Sequence, residues 1–333
     1  MDFFGWSLWI DLFNGSKHWI DSLELDMQFD PEGNGWYEIF NRLDRLLENV
    51  GMKPKMGGCF HCNSRIPEFL QNPLFELAEP FRKARDDYSK QQPFEFGLHA
   101  TFGNEDLPLS GNYIKVLEKD VALAEYIGAT CIVAHPPRSR DDRIIDLIEL
   151  LTSNVIIGIL SRTNVELHWE NMGYGNFFGS LKHLVNFRQG LKDKLQEIGR
   201  RDLLKKHLFC LDTGHLLLWR DNEKDIKDAN KEIDEFLPKF GAKTRSFHIH
   251  ANDGHSDNHI VPFSLEFFNH LSRAHIQKDK FLQNSEDVMG FLKTCEQSKT
   301  LENRHLHVEA LRLPFSLDQM EIIARKLMAQ LEI

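Results

Sequence analysis

From its first residues the chain alternates short apolar runs with longer amphipathic ones, the rhythm of β-strands followed by α-helices. Residues 3–9 and 23–27 are the first strand candidates, and the helical run 36–50 stops at Gly51, a residue suited to the turn that ends a helix. The rhythm falters from 53 to 92, where cysteine, proline and charge mix before a helical run at 74–89, and this stretch is expected to be an insertion. It resumes with a strand at 94–99 and a helix at 113–127, in which Ile114, Leu117, Val121 and Ala124 form one stripe closed by Gly128. A strand at 131–135 ends at Pro136 and Pro137. Helical runs at 141–161, 181–206 and 226–240 then alternate with strands at 165–170, 208–212 and 245–250. After an excursion from 263 to 303 come a last strand, 305–309, and a helix, 317–331. Eight strands with no internal repeat and no low-complexity linker predict a single α/β domain over 1–333, a closed (β/α)8 TIM barrel.

That architecture gives the polar residues at strand ends a meaning. In the segment RSFHIHANDGHSDNHIVP, Phe247 and Ile249 alternate with His248 and His250, so both imidazoles fall on one face. Asn252, Asp253 and Gly254 then break the strand, and the loop returns Asp257 and His259. His99, His135, Glu170, Asp212, His250 and Glu309 each stand at or just past the C-terminal end of an expected strand, the face on which barrels of this kind carry chemistry. His215 follows Asp212 in DTGH. Nine nitrogen and oxygen donors on one rim suit zinc- or manganese-type cations. Two residues back along their strands, His168, His248 and His307 share faces with Glu170, His250 and Glu309, and are expected beneath them as hydrogen-bonding supports. Arg138 and Arg140, in the loop after His135, are candidates to grip a phosphate, and Phe102 is a candidate to stack on a base or sugar ring.

Composition narrows the setting. A chain of 333 residues with 41% hydrophobic content can bury a large core. Its formal net charge of −10 excludes a basic nucleic-acid footprint over the whole surface, though bound cations can supply positive charge locally. Cys59, Cys62, Cys131, Cys210 and Cys295 are odd in number and scattered, which suits a reducing cytoplasm; Cys59-Phe-His-Cys62 lacks a second pair and reads as free thiols. The N-terminus carries Asp2 and Asp11 and no basic region, unlike a signal peptide. The most apolar window, 144–160, contains Asp146 and Glu149 and reads as a core helix. The expectation is a cytoplasmic protein with no membrane contact and no obligate protein partner.

The pieces GLHA at 97–100, VAHP at 133–136, HWEN at 168–171, CLDTGH at 210–215, HIHAND at 248–253, DNH at 257–259 and HVEA at 307–310 give the chain a family resemblance. In this order they resemble the xylose isomerase-like TIM barrels, and within them the endonuclease IV branch, AP endonuclease family 2. The resemblance implies a metal-dependent hydrolase that cleaves a phosphodiester of abasic-site DNA with up to three metal ions, zinc in the usual case. His99, His135 and Glu170 would hold one ion. Glu170, Asp212, His250 and Glu309 would hold a second, and His215, Asp257 and His259 a third. The alternative it implies is the sugar isomerase and epimerase branch. There a single Mn, Mg, Co or Zn ion would sit on Glu170, Asp212, His250 and Glu309, with the two glutamates as acid/base pair acting on a small sugar or sugar phosphate.

Overall fold

The computed structural model describes residues 3–8, 34–49, 55–61, 74–91, 93–100, 111–136, 144–173, 178–218, 226–252, 257, 259–263, 278–298 and 305–309, with isolated positions at 325–326 and 329; the structural statements below concern these. In chain order the elements are β1 (Phe3–Leu8), α1 (Asn34–Asn49), β2 (Lys55–His61), α2 (Leu74–Ser89), β3 (Phe94–His99), α3 (Gly111–Ile127) and β4 (Cys131–Ala134). They continue with α4 (Ile144–Leu151), α5 (Asn154–Arg162), β5 (Glu166–Glu170), α6 (Leu181–Glu197), β6 (His207–Asp212) and α7 (Thr213–Leu217). The last are α8 (Ile226–Phe240), β7 (Thr244–Ile249), α9 (Lys278–Gln297) and β8 (His305–Glu309). The eight strands are parallel and pair in sequence order, and β8 pairs back with β1 to close the barrel.

Residues 53–92, expected as an insertion, instead supply β2 and α2, a full βα unit of the ring. The strand was illegible because KMGGCFH has adjacent glycines and no β-branched residue, so neither propensity nor alternation marks it. The expected strand at 23–27 lies outside the described residues, as does most of the expected helix 317–331. The run 141–161 is two helices broken at Thr152 and Ser153. The run 181–206 stops at Gly199, whose φ of 71° only glycine adopts without strain, before a 3-10 turn at Arg201–Lys206. No single helix among the described residues is long and apolar enough to cross a membrane.

Strand alternation sorts the core into two compartments. In β4, Ile132 and Ala134 belong to the main hydrophobic cluster between ring and helices, whereas Val133 packs with Cys210 in a separate one. An aromatic belt runs through the largely aliphatic outer compartment: Trp169 of β5 meets Phe178 and Phe187, and Phe209 of β6 meets Phe236 and Phe240 of α8. Burying each such side chain stabilises the fold by about 1.5–3 kcal/mol, so this belt fixes the strands that carry the rim.

One polar seam crosses the belt. The Trp169 indole donates to Nδ1 of His207 at 3.2 Å, and buried Arg188 donates to the His207 carbonyl. Burial, aided by the Arg188 charge, pushes the His207 imidazole down to about 3 from its ordinary 6.5. The folded ring thus stays neutral where the unfolded chain takes up a proton, so stability is present above pH 6.5 and is lost as the pH falls toward 3. Urea unfolding of metal-free protein is expected to lose about 1.4 kcal/mol per pH unit through this window relative to His207→Gln, which lacks the titrating ring. Parallel pH profiles for the two proteins would sink this account.

Candidate metal centre

Six strand ends and one returning loop build the rim. His99 closes β3, His135 follows β4, Glu170 closes β5, Asp212 closes β6, His250 follows β7 and Glu309 closes β8. The side chain of Glu309 lies outside the described residues, as do Arg138, Arg140 and Phe102 entirely. The loop after β7 folds back through an antiparallel bridge in which Ala251 and Ile260 exchange hydrogen bonds of 2.6 and 2.8 Å. This return delivers Asp257 and His259, the latter with a left-handed φ of 44°, uncommon for a residue with a side chain. The His259 ring stacks on His250 with centroids 4.0 Å apart and planes 15° from parallel.

Glu170 stands at the centre. Its Oε2 lies 3.0 Å from Nε2 of His135 and 3.6 Å from Nε2 of His99, while Oε1 lies 3.2 Å from Nδ1 of His248 and 3.8 Å from Nδ1 of His215. Burial would raise this carboxyl, but His248 and His135 override it and hold it well below the usual carboxylate range. A second knot surrounds Asp257. Its Oδ2 is 2.9 Å from Nε2 of His215 and 3.1 Å from Nε2 of His259, and its Oδ1 is 3.9 Å from Nε2 of His250. Burial and these imidazoles oppose each other, and His215 and His259 win, leaving Asp257 well below its ordinary value. Asp212 joins the two knots: Nε2 of His250 is 2.9 Å from its Oδ1, which also accepts from the His215 backbone N–H at 2.7 Å.

The donor chemistry fits divalent cations. Nδ1 of His215 faces the Asn171 carbonyl at 2.7 Å and must donate to it, as Nδ1 of His99 does to Ala100 at 3.1 Å. A neutral ring so anchored turns the lone pair of Nε2 toward a carboxylate oxygen, acceptor against acceptor, unless a proton or a cation lies between them. For His215 burial acts against a proton, yet Asp212 and Asp257 raise its affinity well above the ordinary value, the response expected of a ring aimed at a cation position. Ligand atoms converge within 4.8 Å in His99, His135 and Glu170; in Glu170, Asp212 and His215; and in His215, His250, Asp257 and His259.

The three supporting histidines part company. His248 contacts Glu170 of a neighbouring part of the ring rather than its own-strand partner His250. His168 pairs with Ser246 and Glu166, its Nδ1 2.6 Å from Ser246 Oγ and its Nε2 3.2 Å from Glu166. His307 is fully buried, its ring 6.1 Å from that of His248.

Several positioning residues escaped the sequence. The Asn171 side chain donates to the Asp212 carbonyl at 3.0 Å and accepts from the Asp212 N–H at 2.8 Å, standing in for a peptide group one step beyond the β5–β6 ladder. Asn252, read only as a turn former, donates to the Gly214 carbonyl at 2.7 Å, and Asn284 of α9 donates to the Asn252 carbonyl at 2.6 Å. Asn171 lies inside HWEN, so its motif was visible although its role was not; nothing in the sequence marks Asn284.

A closed parallel barrel with histidine and carboxylate donors gathered at its C-terminal mouth is the class that fold and site define. The chain belongs to the xylose isomerase-like TIM barrel family, whose sequence profile matches residues 58–293. No curated protein matches it by sequence. Among solved structures it is similar to a D-tagatose 3-epimerase-like protein, at 14% identity and a TM-score of 0.57 over 100% of this chain and 98% of that one. It is similar too to endonuclease IV from Thermus thermophilus, at 16% identity and a TM-score of 0.52 over 99% and 98%. A xylose isomerase domain-containing protein from Salmonella typhimurium aligns at 12% identity and a TM-score of 0.52 over 91% and 93%. These likenesses establish the fold.

Gly214 makes the knots possible, because a Cβ there would lie 2.0 Å from Cε1 of His250. Gly214→Ala is therefore expected to push the His250 ring off His259, costing about 1–3 kcal/mol of overpacking in thermal melts. Metal analysis should show a loss of bound ion in the same variant. A variant that melts and binds metal like the wild type would show that the ring moves aside freely.

Proposed function

We propose that the protein is a metal-dependent phosphodiester hydrolase acting on abasic-site DNA, with a multinuclear, zinc-type centre. The observation that carries this reading is the knot of His215, His250, Asp257 and His259, together with the separate set of His99, His135 and Glu170. A one-ion isomerase would need Glu170, Asp212, His250 and Glu309, and has no use for an additional donor set on the loop after β7. Cations held by these residues would lower the pKa of water, neutralise phosphate oxygens and stabilise the leaving alkoxide.

The chain's own groups divide the remaining work. Glu170, fully buried, holds two donor sets in fixed relation through its two oxygens. Asp257 is 39% exposed, the open member of its knot, and so faces the side from which a substrate arrives. Held as an anion by His215 and His259, it remains a ligand rather than a proton donor. Arg138 and Arg140 are proposed to grip the phosphate, Phe102 to stack on an exposed base or sugar, and Glu309 to complete the set around Glu170 and Asp212. Binding of a polyanion by a chain of net charge −10 then depends on the cations themselves.

Metal content and activity test this together. The rim is expected to carry about three ions per chain, and an Asp257→Ala, His259→Ala double variant about one fewer. The wild type should nick an abasic-site duplex, the double variant should not, and a chelator-treated control should be silent. About one ion per chain, no nicking, and interconversion of a ketose with its C3 epimer by wild type and double variant alike would replace this reading with the isomerase and epimerase chemistry of Glu170 and Glu309.

A further inference from the structure

The inside of a TIM barrel is ordinarily filled by layers of bulky branched apolar side chains. Here the described hydrophobic cluster apart from the main core is only the pair Val133 and Cys210. His168, Ser246, His248 and His307 are buried as well, so among the described residues the lumen beneath the rim carries imidazole, hydroxyl and thiol beside the apolar Val133 and Leu208. His168 is accounted for by Ser246 and Glu166. Cys210, His248 and Glu170 face one another instead: one ligand atom from each lies within 4.8 Å of the other two, and all three residues are buried.

We propose that Cys210, His248 and Glu170 form a further cation site in the barrel lumen, beneath the rim, that takes a zinc-type ion. Thiolate, imidazole and carboxylate together are a borderline-soft set, suited to zinc or cobalt and unsuited to magnesium or calcium, which require oxygen cages. The three residues stand on the consecutive strands β5, β6 and β7, and the ladder sets Glu170 beside Cys210 and Cys210 beside Ser246. The ligands are therefore fixed by backbone register rather than by a loop. Glu170 can serve both levels because its Oε2 faces His135 and His99 while its Oε1 lies closer to His248, at 3.2 Å, than to His215, at 3.8 Å. On binding, the thiol proton leaves to solvent and the sulfur lone pair is donated to the ion. The site is independent of which reaction the rim performs. It differs from every rim group among the described residues in containing sulfur.

That difference makes it readable. Metal-free full-length protein titrated with Co(II) is expected to develop a thiolate-to-cobalt charge-transfer band in the near ultraviolet, which nitrogen and oxygen ligands do not give. The band should persist in the Asp257→Ala, His259→Ala variant, whose failure to nick DNA reports on the rim alone. It should vanish in Cys210→Ser, with about one ion fewer bound per chain and an unchanged melt of the metal-free form. His248→Gln, which leaves the thiol in place, should weaken cobalt binding at this band by about tenfold or more. No sulfur band at any loading would overturn the proposal and leave Cys210 a packing residue. A band that survives Cys210→Ser, or one that His248→Gln leaves unchanged, would overturn it equally.

Discussion

A single buried carboxylate sets the terms for the mouth of this barrel. An ionised group taken out of water is costly unless opposite charge and hydrogen-bond donors surround it, and Glu170 is 1% exposed. Four imidazoles, from His99, His135, His215 and His248, approach its two oxygens within 3.8 Å. These partners come from β3, the end of β4, the start of α7 and β7, so the compensation of one charge ties together much of the ring. The same geometry explains why the residue recurs in three of the four donor groups among the described residues. Whatever neutralises Glu170, protons or cations, must also satisfy the rings around it.

Backbone carbonyls decide which face each ring presents. Asn171 and Ala100 take the Nδ1 protons of His215 and His99, which leaves Nε2 directed at the carboxylates. Asn171 has a double use: its carbonyl fixes the His215 tautomer while its side chain locks Asp212 by two hydrogen bonds. The loop after β7 is held with comparable care. Its ends meet in the Ala251–Ile260 bridge, and α9 supports it through Asn284 to Asn252 and Ser285 to the Phe263 N–H. A loop so braced can keep His259 at a positive φ, a conformation that costs on the order of 1–3 kcal/mol and persists only when its surroundings impose it.

What the sequence made legible follows from periodicity. Strands such as FEFGLH, CIVA and HLFCLD are short, largely apolar runs that end in a polar residue or, for CIVA, are followed at once by His135, so the ring and its C-terminal mouth could be read from pattern alone. β2 could not, since its paired glycines erase propensity. In α9 the apolar stripe from Phe281 to Val288 is interrupted by Asn284 and Ser285, both fully buried. That interruption hid the helix within an apparent excursion, and it is the interruption that braces the loop. The candidate donors were visible because they stand at strand ends. Gly214, Asn252 and the turning of His168 toward Ser246 were not, because each depends on a neighbour distant in sequence.

The division of the core explains how a barrel can tolerate so polar an interior. Among the described residues, most buried apolar side chains lie in the shell between strands and helices, where Trp169, Phe178, Phe187, Phe209 and Phe236 interlock. Apolar burial is thus concentrated outside the ring among the described residues, and these parts of the lumen are released from the requirement to be oily. Replacing aliphatic layers with His168, Ser246, His248 and His307 sacrifices dispersion and apolar burial there, on the order of 1.5–3 kcal/mol per side chain. Such a sacrifice is retained only where the polar groups find partners, and the Glu166–His168–Ser246 chain does so directly. The shell and the lumen therefore answer to different constraints: packing volume in the first, and charge compensation around Glu170 in the second.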